Sequence, residues 1–315
     1  MLTFLARRLP SVALMLVVTA LIAFLLPRLG GGDPAQVVAG PDATLAQVEA
    51  VREQLGLDRP VLVQFGDWAG RIVTGDFGTS LISNRPVAQL IASRLSSTME
   101  LAIAATLLMI VMGLGLGILA GSVRKGGSRA AIDGTLSVLL ATPPHVTGLI
   151  LILILGISWR LLPISGEVSV FDDPVTGLTY LILPAFALAL PQAAMIARLI
   201  QARMSQVREE DFVDLAKAKG VPPRRIAISH VLRNSLGTAV IVTGVRVGEI
   251  LAGAVVIEAI FARQGLGTLA VSAIQSRDYE VVQIIVLFAV VIAVVVHFLS
   301  EILLAALDPR IRLDS

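Results

Sequence analysis

The chain is predicted to be an all-α polytopic membrane protein, and three observations carry that prediction. It is 56% hydrophobic and only 15% charged over 315 residues, with a mean hydropathy of +0.86, too apolar for an ordinary soluble domain. Its apolar residues gather in six runs near the ~20 residues that a ~30 Å hydrocarbon core requires. Its cations gather in one set of the connections between those runs, the pattern that sets orientation in a bilayer. A net charge of +2 then speaks to topology and not to nucleic acid, which nothing in the chain favours. The absence of cysteine excludes disulfides, thiolate chemistry and Cys-based metal sites, and His145, His230 and His297 are too scattered for a metal centre.

The first run, 9–26, follows Arg7-Arg8 and resembles a secretory leader as far as its end. There Phe24-Leu25-Leu26-Pro27 lacks small-residue cleavage chemistry, so an uncleaved anchor is expected. The remaining runs fall at about 101–123, 136–157, 178–200, 237–261 and 281–304. Prolines 143, 144, 184 and 191 lie within them, tolerable where a helical bundle re-satisfies the freed backbone groups. Arg7, Arg8, Arg124, Lys125, Arg129, the run from Arg198 to Arg233, Arg310 and Arg312 share one side, which places both termini in the cytoplasm. Residues 28–98 and the loops near 158–177 and 262–280 then face outward.

That outer segment of about 70 residues is expected to hold two short helices. One starts at Asp42 as N-cap and carries Leu45, Val48, Val51 and Leu55. The other follows Pro60, carries Leu62, Phe65, Trp68-Ala69 and Ile72-Val73, and stops near Gly75. A cap over the bundle and a contact for an external partner are both compatible with this pattern. Gly113, Gly117 and Gly121 in the second run, and Gly244 and Gly248 in the fifth, put small residues on one face where a neighbouring helix can approach; helix packing is favoured over a pathway lining. Among charges in or beside the runs, Arg246 and Glu249 are three apart and able to neutralise one another, while Glu100, Glu258 and Glu301 lie near ends where a carboxylate can reach the interface. Structural pairing is favoured there, with a proton relay through residues such as Glu249 and His297 as the alternative.

The most informative segment is hydrophilic. Glu209, Glu210 and Asp211 crowd the start of a short helix whose last turn holds Lys217 and Lys219, matching both ends of the macrodipole, and Gly220 stops it. Pro222-Pro223 separates it from a second helix starting near Arg224. Phe212, Leu215, Ala216 and Lys219 fall on one side, a small apolar face with a basic edge. Such a face fits a groove on another protein or an anionic lipid surface equally well.

At these residues the chain resembles the permease subunits of bacterial ABC importers, whose cytoplasmic signature reads EAA, three residues, then Gly. The matching positions are Asp214-Leu215-Ala216 and Gly220. The longer passages LAKAKG at 215–220 and HVLRNSL at 230–236 are similar to the dipeptide, oligopeptide and nickel branch. GDPAQVVAG at 32–40, LGLDRP at 55–60, GDFGTS at 75–80, LPISG at 162–166, SRDYEVVQ at 276–283 and LDPRIR at 307–312 extend the resemblance nearly end to end, toward the dipeptide permease B type. The chain departs from the pattern at Asp214 and Leu215, at Gly237-Thr238 where relatives often have Leu-Pro, and at Gln264 where Pro commonly precedes GLG.

The resemblance implies a type I ABC importer permease fold with six transmembrane helices and a short helical extracytoplasmic segment. It divides the chain into an anchor with that segment (1–93), a permease domain (94–308) with a coupling helix at about 209–220, and a cytoplasmic tail (309–315). It also implies that Phe212, Val213, Asp214, Ala216, Lys219 and Gly220 form the element that couples to a separate ATPase, flanked by Arg224 and Arg225. The implied partners are a homologous second permease, two ATP-binding cassette subunits carrying the ATP and magnesium, and an extracytoplasmic substrate-binding protein. No cofactor or metal is expected on this chain, which is a transport subunit and not an enzyme. No Gly-Lys dipeptide occurs anywhere, so a P-loop is excluded. The expected cargo is a dipeptide or oligopeptide, with nickel or another small solute as further candidates. The alternative is an ion-coupled secondary transporter working without an ATPase.

Overall fold

The computed structural model describes the backbone of residues 2–29, 33–40, 42–123 and 126–307. The expected tail at 309–315 and the cations Arg124, Lys125, Arg310 and Arg312 lie outside the described residues, as do the side chains of Arg7, Arg8, His297 and Glu301. Every regular element among the described residues is helical, apart from one isolated bridge between Thr79 and Pro86.

Four helices carry most of the apolar sequence. They are α1 (Leu2–Leu29), α5 (Val87–Ser122), α8 (Pro174–Val207) and α13 (Tyr279–Leu307). Between them lie α2 (Pro34–Ala39), α3 (Leu45–Gln54), α4 (Val61–Val73), α6 (Gly127–Ala141), α7 (Pro144–Leu151), α9 (Asp211–Ala218), α10 (Pro223–Arg225), α11 (Arg233–Ile260) and α12 (Leu266–Gln275). Among the described residues three helices are long and apolar enough to cross a bilayer, and five if each bent pair is one span.

The run 136–157, expected as one helix, is broken. Gly127–Ala141 and Pro144–Ser158 meet at 105°. Thr142 and Pro143 both precede a proline and both take extended backbone, with ψ of 114° and 151°, because the proline ring disfavours helical geometry in the residue before it. Pro184 and Pro191 are isolated, each removing one hydrogen bond, and α8 runs through both.

The chain divides into two compact units, one of residues 1–96 with 264–295 and the other of 97–263 with 296–315. In the second, α8 is central. Its buried face runs from Gly177 to Val207, and α6, α7 and α11 pack around it. Leu101, Ala105 and Met109 of α5 and Ile250, Ala254 and Ile257 of α11 join the same core, each set at the spacing that aligns one helical face.

The glycine ladder of α5 lies against α8. A methyl group added at Gly113 or Gly117 would stand 2.9 Å from Cβ of Ile196 or Ile200, and one at Gly121 2.4 Å from Sδ of Met204. Positions rise together by four along both helices, so α5 and α8 run parallel with their i±4 ridges in register. Gly117→Ala is therefore expected to destabilise the fold by roughly 1–3 kcal/mol, since Cα of Ala197 would lie 3.1 Å from the new methyl and backbone cannot yield. Gly115→Ala meets nothing within 4 Å and should be neutral or stabilising by up to ~1 kcal/mol through helix propensity. Denaturant titration of the two purified variants checks the opposite signs. The second ladder differs. Gly248 has nothing within 4 Å, Gly244 is half-buried, and the close approach on α11 is Gly253 to Leu188.

In the first unit the outer segment is built around aromatics. Phe24 of α1 packs edge-on against Phe65 and tilted against Trp68 of α4 at centroid distances of 5.4 and 5.5 Å, and Val87, Ile91, Ala273, Val281, Ile284 and Ile285 complete the cluster. The N-cap of α3 is Thr44, not Asp42. Gln47 lies three residues on from Thr44, so the two form a reciprocal capping box that Asp42 has no partner to make. Asp278, buried, accepts hydrogen bonds from the Ser80 hydroxyl and the Leu81 amide, tying residues 80–81 to the turn before α13.

Candidate functional site

The hydrophilic insertion folds into α9, two turns long, joined to α8 by the short turn 208–210 at one end and through Pro222-Pro223 to α10 at the other. Asp211 and Asp214 stand in its first turn and Lys217 in its last, as the macrodipole favours; Lys217 also donates to Asp214 at 2.6 Å. The helix ends on Gly220 at φ +72°, with Gly220 N–H donating to Lys217 O and Val221 N–H to Ala216 O. This pair of bonds is a Schellman closure, and the left-handed residue it requires costs a glycine nothing.

The two faces of α9 are unlike. Val213 and Ala216 are buried and join the core with Met204, Val207, Ile226 and Val231, so the helix is seated on the ends of α8 and of the segment leading into α11. Phe212 and Leu215, 41% and 55% exposed, point away. This corrects the sequence-based face: Ala216 belongs with Val213 on the inner side, while Phe212, Leu215 and Lys219 are turned out. Arg224 and Arg225 are exposed on α10 beside it. Leu215, absent from the expected coupling set, is an outward apolar residue. Its i+3 spacing from Phe212 was the available signal.

Downstream, Ile226–Leu232 is π-helical and leads into α11. Three connected elements thus hold α9: a long helix before it, a two-proline linker after it, and a buried face beneath.

A second constellation was not anticipated. Thr98 and Glu100 of α5, Ser97 beside them, Glu167 and Ser169 of the loop before α8, Glu258 of α11 and Arg263 after it come together in the second unit. Glu258 (0% exposed) accepts from Thr98 Oγ1 at 2.5 Å, and Glu100 accepts from Ser169 Oγ at 2.7 Å and Val170 N at 3.2 Å. Arg263 (1% exposed) donates through Nη2 to Ser97 O and Oγ at 3.4 and 3.2 Å and lies 3.6 Å from Glu167. Burial holds the Arg263 guanidinium below its usual range, opposed by the charges of Glu167, Glu100 and Glu258. Glu100 and Glu258 were expected to reach the membrane interface; they are enclosed by protein.

Local geometry explains how Arg263 reaches this place. After α11, Ala262 takes φ +52°, and Arg263 N–H bonds back to Glu258 O at 2.9 Å. That is another Schellman closure, here on an alanine, and it folds Arg263 back beneath the helix end.

The ion pair expected within α11 is present, with Arg246 Nη1 donating to Glu249 Oε2 at 2.6 Å. Among the described residues no group of three or more His, Asp or Glu has the arrangement of a metal site.

Residues 113–313 match the family described as binding-protein-dependent transport system inner membrane component, and residues 1–102 match that family's N-terminal model. The chain is 36% identical over 310 residues to a probable peptide ABC transporter permease protein, y4tP, of Sinorhizobium fredii, covering 98% of this chain and 99% of the relative. It is 34% identical over 308 residues to a putative peptide transport system permease protein of Brucella abortus, covering 98% of each. It is 34% identical over 317 residues to the glutathione transport system permease protein GsiC of Salmonella typhimurium, covering 99% of each. Among solved structures, an inward-facing conformation of the methionine ABC transporter MetNI superposes with a TM-score of 0.57 at 14% identity, over 71% of this chain and 98% of that one.

Proposed function

The chain belongs to the family of binding-protein-dependent transport system inner membrane components, and from its membership we propose that it forms half of the path by which short peptides enter the cell. It is a permease subunit of an ABC importer. The relatives are named for peptide and glutathione transport, which makes a peptide of two or three residues the cargo to test first.

The observation that carries the coupling reading is the division of α9, with Val213 and Ala216 sunk into the core and Phe212 and Leu215 exposed. In this reading Phe212, Leu215 and Lys219 enter a cleft of a separate ATP-binding subunit, Asp214 and Lys217 hold each other on the rim, and Arg224 and Arg225 flank the contact. Val213, Ala216 and Gly220 fix the element to its own helices. ATP-driven closure of the motor then displaces α9, and α8 and α11 move with it, since a packed helix passes on a push that a loose loop would absorb. A second permease, two ATP-binding subunits and an extracytoplasmic binding protein complete the assembly. ATP and magnesium reside on the partners.

The proposed topology has six spans: α1, α5, the bent pair α6 and α7, α8, the bent pair leading into α11, and α13. Both termini are cytoplasmic. The parallel run of α5 and α8 supports it, because two helices separated by one intervening span must cross in the same direction. The helices between α1 and α5 stand outside, over 33–85, for the binding protein to approach.

Reconstitution in proteoliposomes tests the proposal. Uptake of labelled trialanine is expected only when the permeases, both ATP-binding subunits, the binding protein and ATP are all present. Uptake driven by an ion gradient in liposomes holding this chain alone would establish the secondary-transporter alternative instead.

A further inference from the structure

Arg246 and Glu249 stand about 20 Å and about 17 Å from the two ends of α11, in the middle of a helix that is otherwise apolar around them. Charges at that depth are rare in membrane helices, and they face protein or water, not lipid. Here they are only partly covered. The Glu249 side chain is 45% exposed and that of Arg246 21%. The inner face of α11 is already filled by Ile250, Ala254 and Ile257, so the pair lies at its edge. Beside it Gly248 has nothing within 4 Å, which leaves room next to the carboxylate.

The hydrogen bonding of Arg246 is incomplete as well. Nη1 donates to Glu249, and more weakly to Oε1 of Gln192 on α8 at 3.5 Å. Nε is buried and has no partner. A guanidinium offers five donors in a fixed fork matched to a carboxylate. A buried donor left unmade is costly, so the site holds unused capacity for an acceptor. Glu249 bonds Arg246 through one oxygen and is otherwise open to a donor.

From this geometry we infer a solute-contact site in the translocation path, formed by Arg246, Glu249 and Gln192, that takes a zwitterionic ligand. The ligand's carboxylate lies against the exposed part of the Arg246 side chain and its ammonium against Glu249. The two protein charges cancel, so the site attracts neither cations nor anions strongly enough to trap them. It can exchange its internal pair for two external ones as a peptide passes. The inference rests on the peptide-import reading and deepens it, by assigning recognition of the charged termini to this chain. An interface with the second permease would cover the same residues and exclude water from them, and the experiment separates the two.

The chain contains no cysteine, so Gly248→Cys introduces its sole thiol at a position where a Cβ meets nothing. In the complete reconstituted complex, a charged, membrane-impermeant methanethiosulfonate is expected to label this thiol, and saturating trialanine delivered by the binding protein should slow labelling at least fivefold. Arg246→Met should lower ATP-driven uptake of trialanine at least tenfold, and Arg246→Lys, which keeps the charge and loses the fork, should fall between Arg246→Met and wild type. A thiol that water-soluble reagents never reach, labelling indifferent to trialanine, or Arg246→Met transporting at the wild-type rate would overturn the site while leaving peptide import intact. If the wild-type complex moves no peptide at all, the peptide reading fails first and this site fails with it.

Discussion

Arg263→Met is expected to destabilise the protein by roughly 3–5 kcal/mol, the cost of removing one partner from a buried ionic group. The arginine is 1% exposed and faces Glu167 at 3.6 Å, with Glu100 and Glu258 close enough to act on its charge. Methionine fills much of the volume and none of the charge. Glu258, fully enclosed, would then lose the nearby cation while keeping its bond to Thr98, and the bonds from Arg263 to Ser97 O and Oγ would vanish. Loss of stability in denaturant titration of the purified permease, partly restored in Arg263→Met/Glu258→Gln, checks the assignment. A single variant as stable as wild type would mean that the cluster does not depend on the arginine.

The second large effect falls on transport and not on stability. Phe212→Asp should leave the fold intact, because the ring is 41% exposed and outside the core. It should nevertheless reduce ATP-driven uptake at least tenfold, since an apolar residue entering a cleft is replaced by a charge that resists desolvation. Val213→Asp, one position on, should behave in the opposite order. Val213 is 1% exposed within the core, so the carboxylate would have to be buried unpaired, at a cost of several kcal/mol. Melting of the purified protein separates the two: Phe212→Asp with a wild-type transition and lost uptake, Val213→Asp with a lowered transition. Similar melting for both would mean that α9 has no privileged inner face.

What the sequence made legible follows from the range of the interactions. The ends of α9 are written locally, in acids at one end, lysine at the other and a glycine that accepts φ +72°. The apolar helices are legible because lipid imposes a length. The pair Arg246–Glu249 is legible because three residues on a helix are neighbours. The face of α9 was half legible: periodicity marks an apolar stripe, but which of Val213, Ala216, Phe212 and Leu215 meets the core depends on the docking of α8 and the segment leading into α11. The break at 142–144 turns on two consecutive prolines, which restrict Thr142 and Pro143 in succession, whereas Pro184 and Pro191 are isolated and α8 runs through both. The capping box of α3 is written in Thr44 and the Gln47 three residues on, a pairing that Asp42 does not make. The ionic cluster was not legible at all. Thr98 meets Glu258 and Ser97 meets Arg263 across more than 150 residues, and no local pattern announces such a pairing.

Cross-linking from α9 tests the central claim most directly. With no native cysteine in the chain, Phe212→Cys and Leu215→Cys each carry a single thiol on the outward face, and Ala216→Cys carries one on the inward face. In membranes holding the complete importer, the first two should form cross-links to the ATP-binding subunit whose yield changes on adding ATP, and the third should form none. Cross-links from positions 212 and 215 to lipid probes alone, with none to the ATP-binding subunit, would contradict the account and make α9 an amphipathic helix resting on the membrane surface.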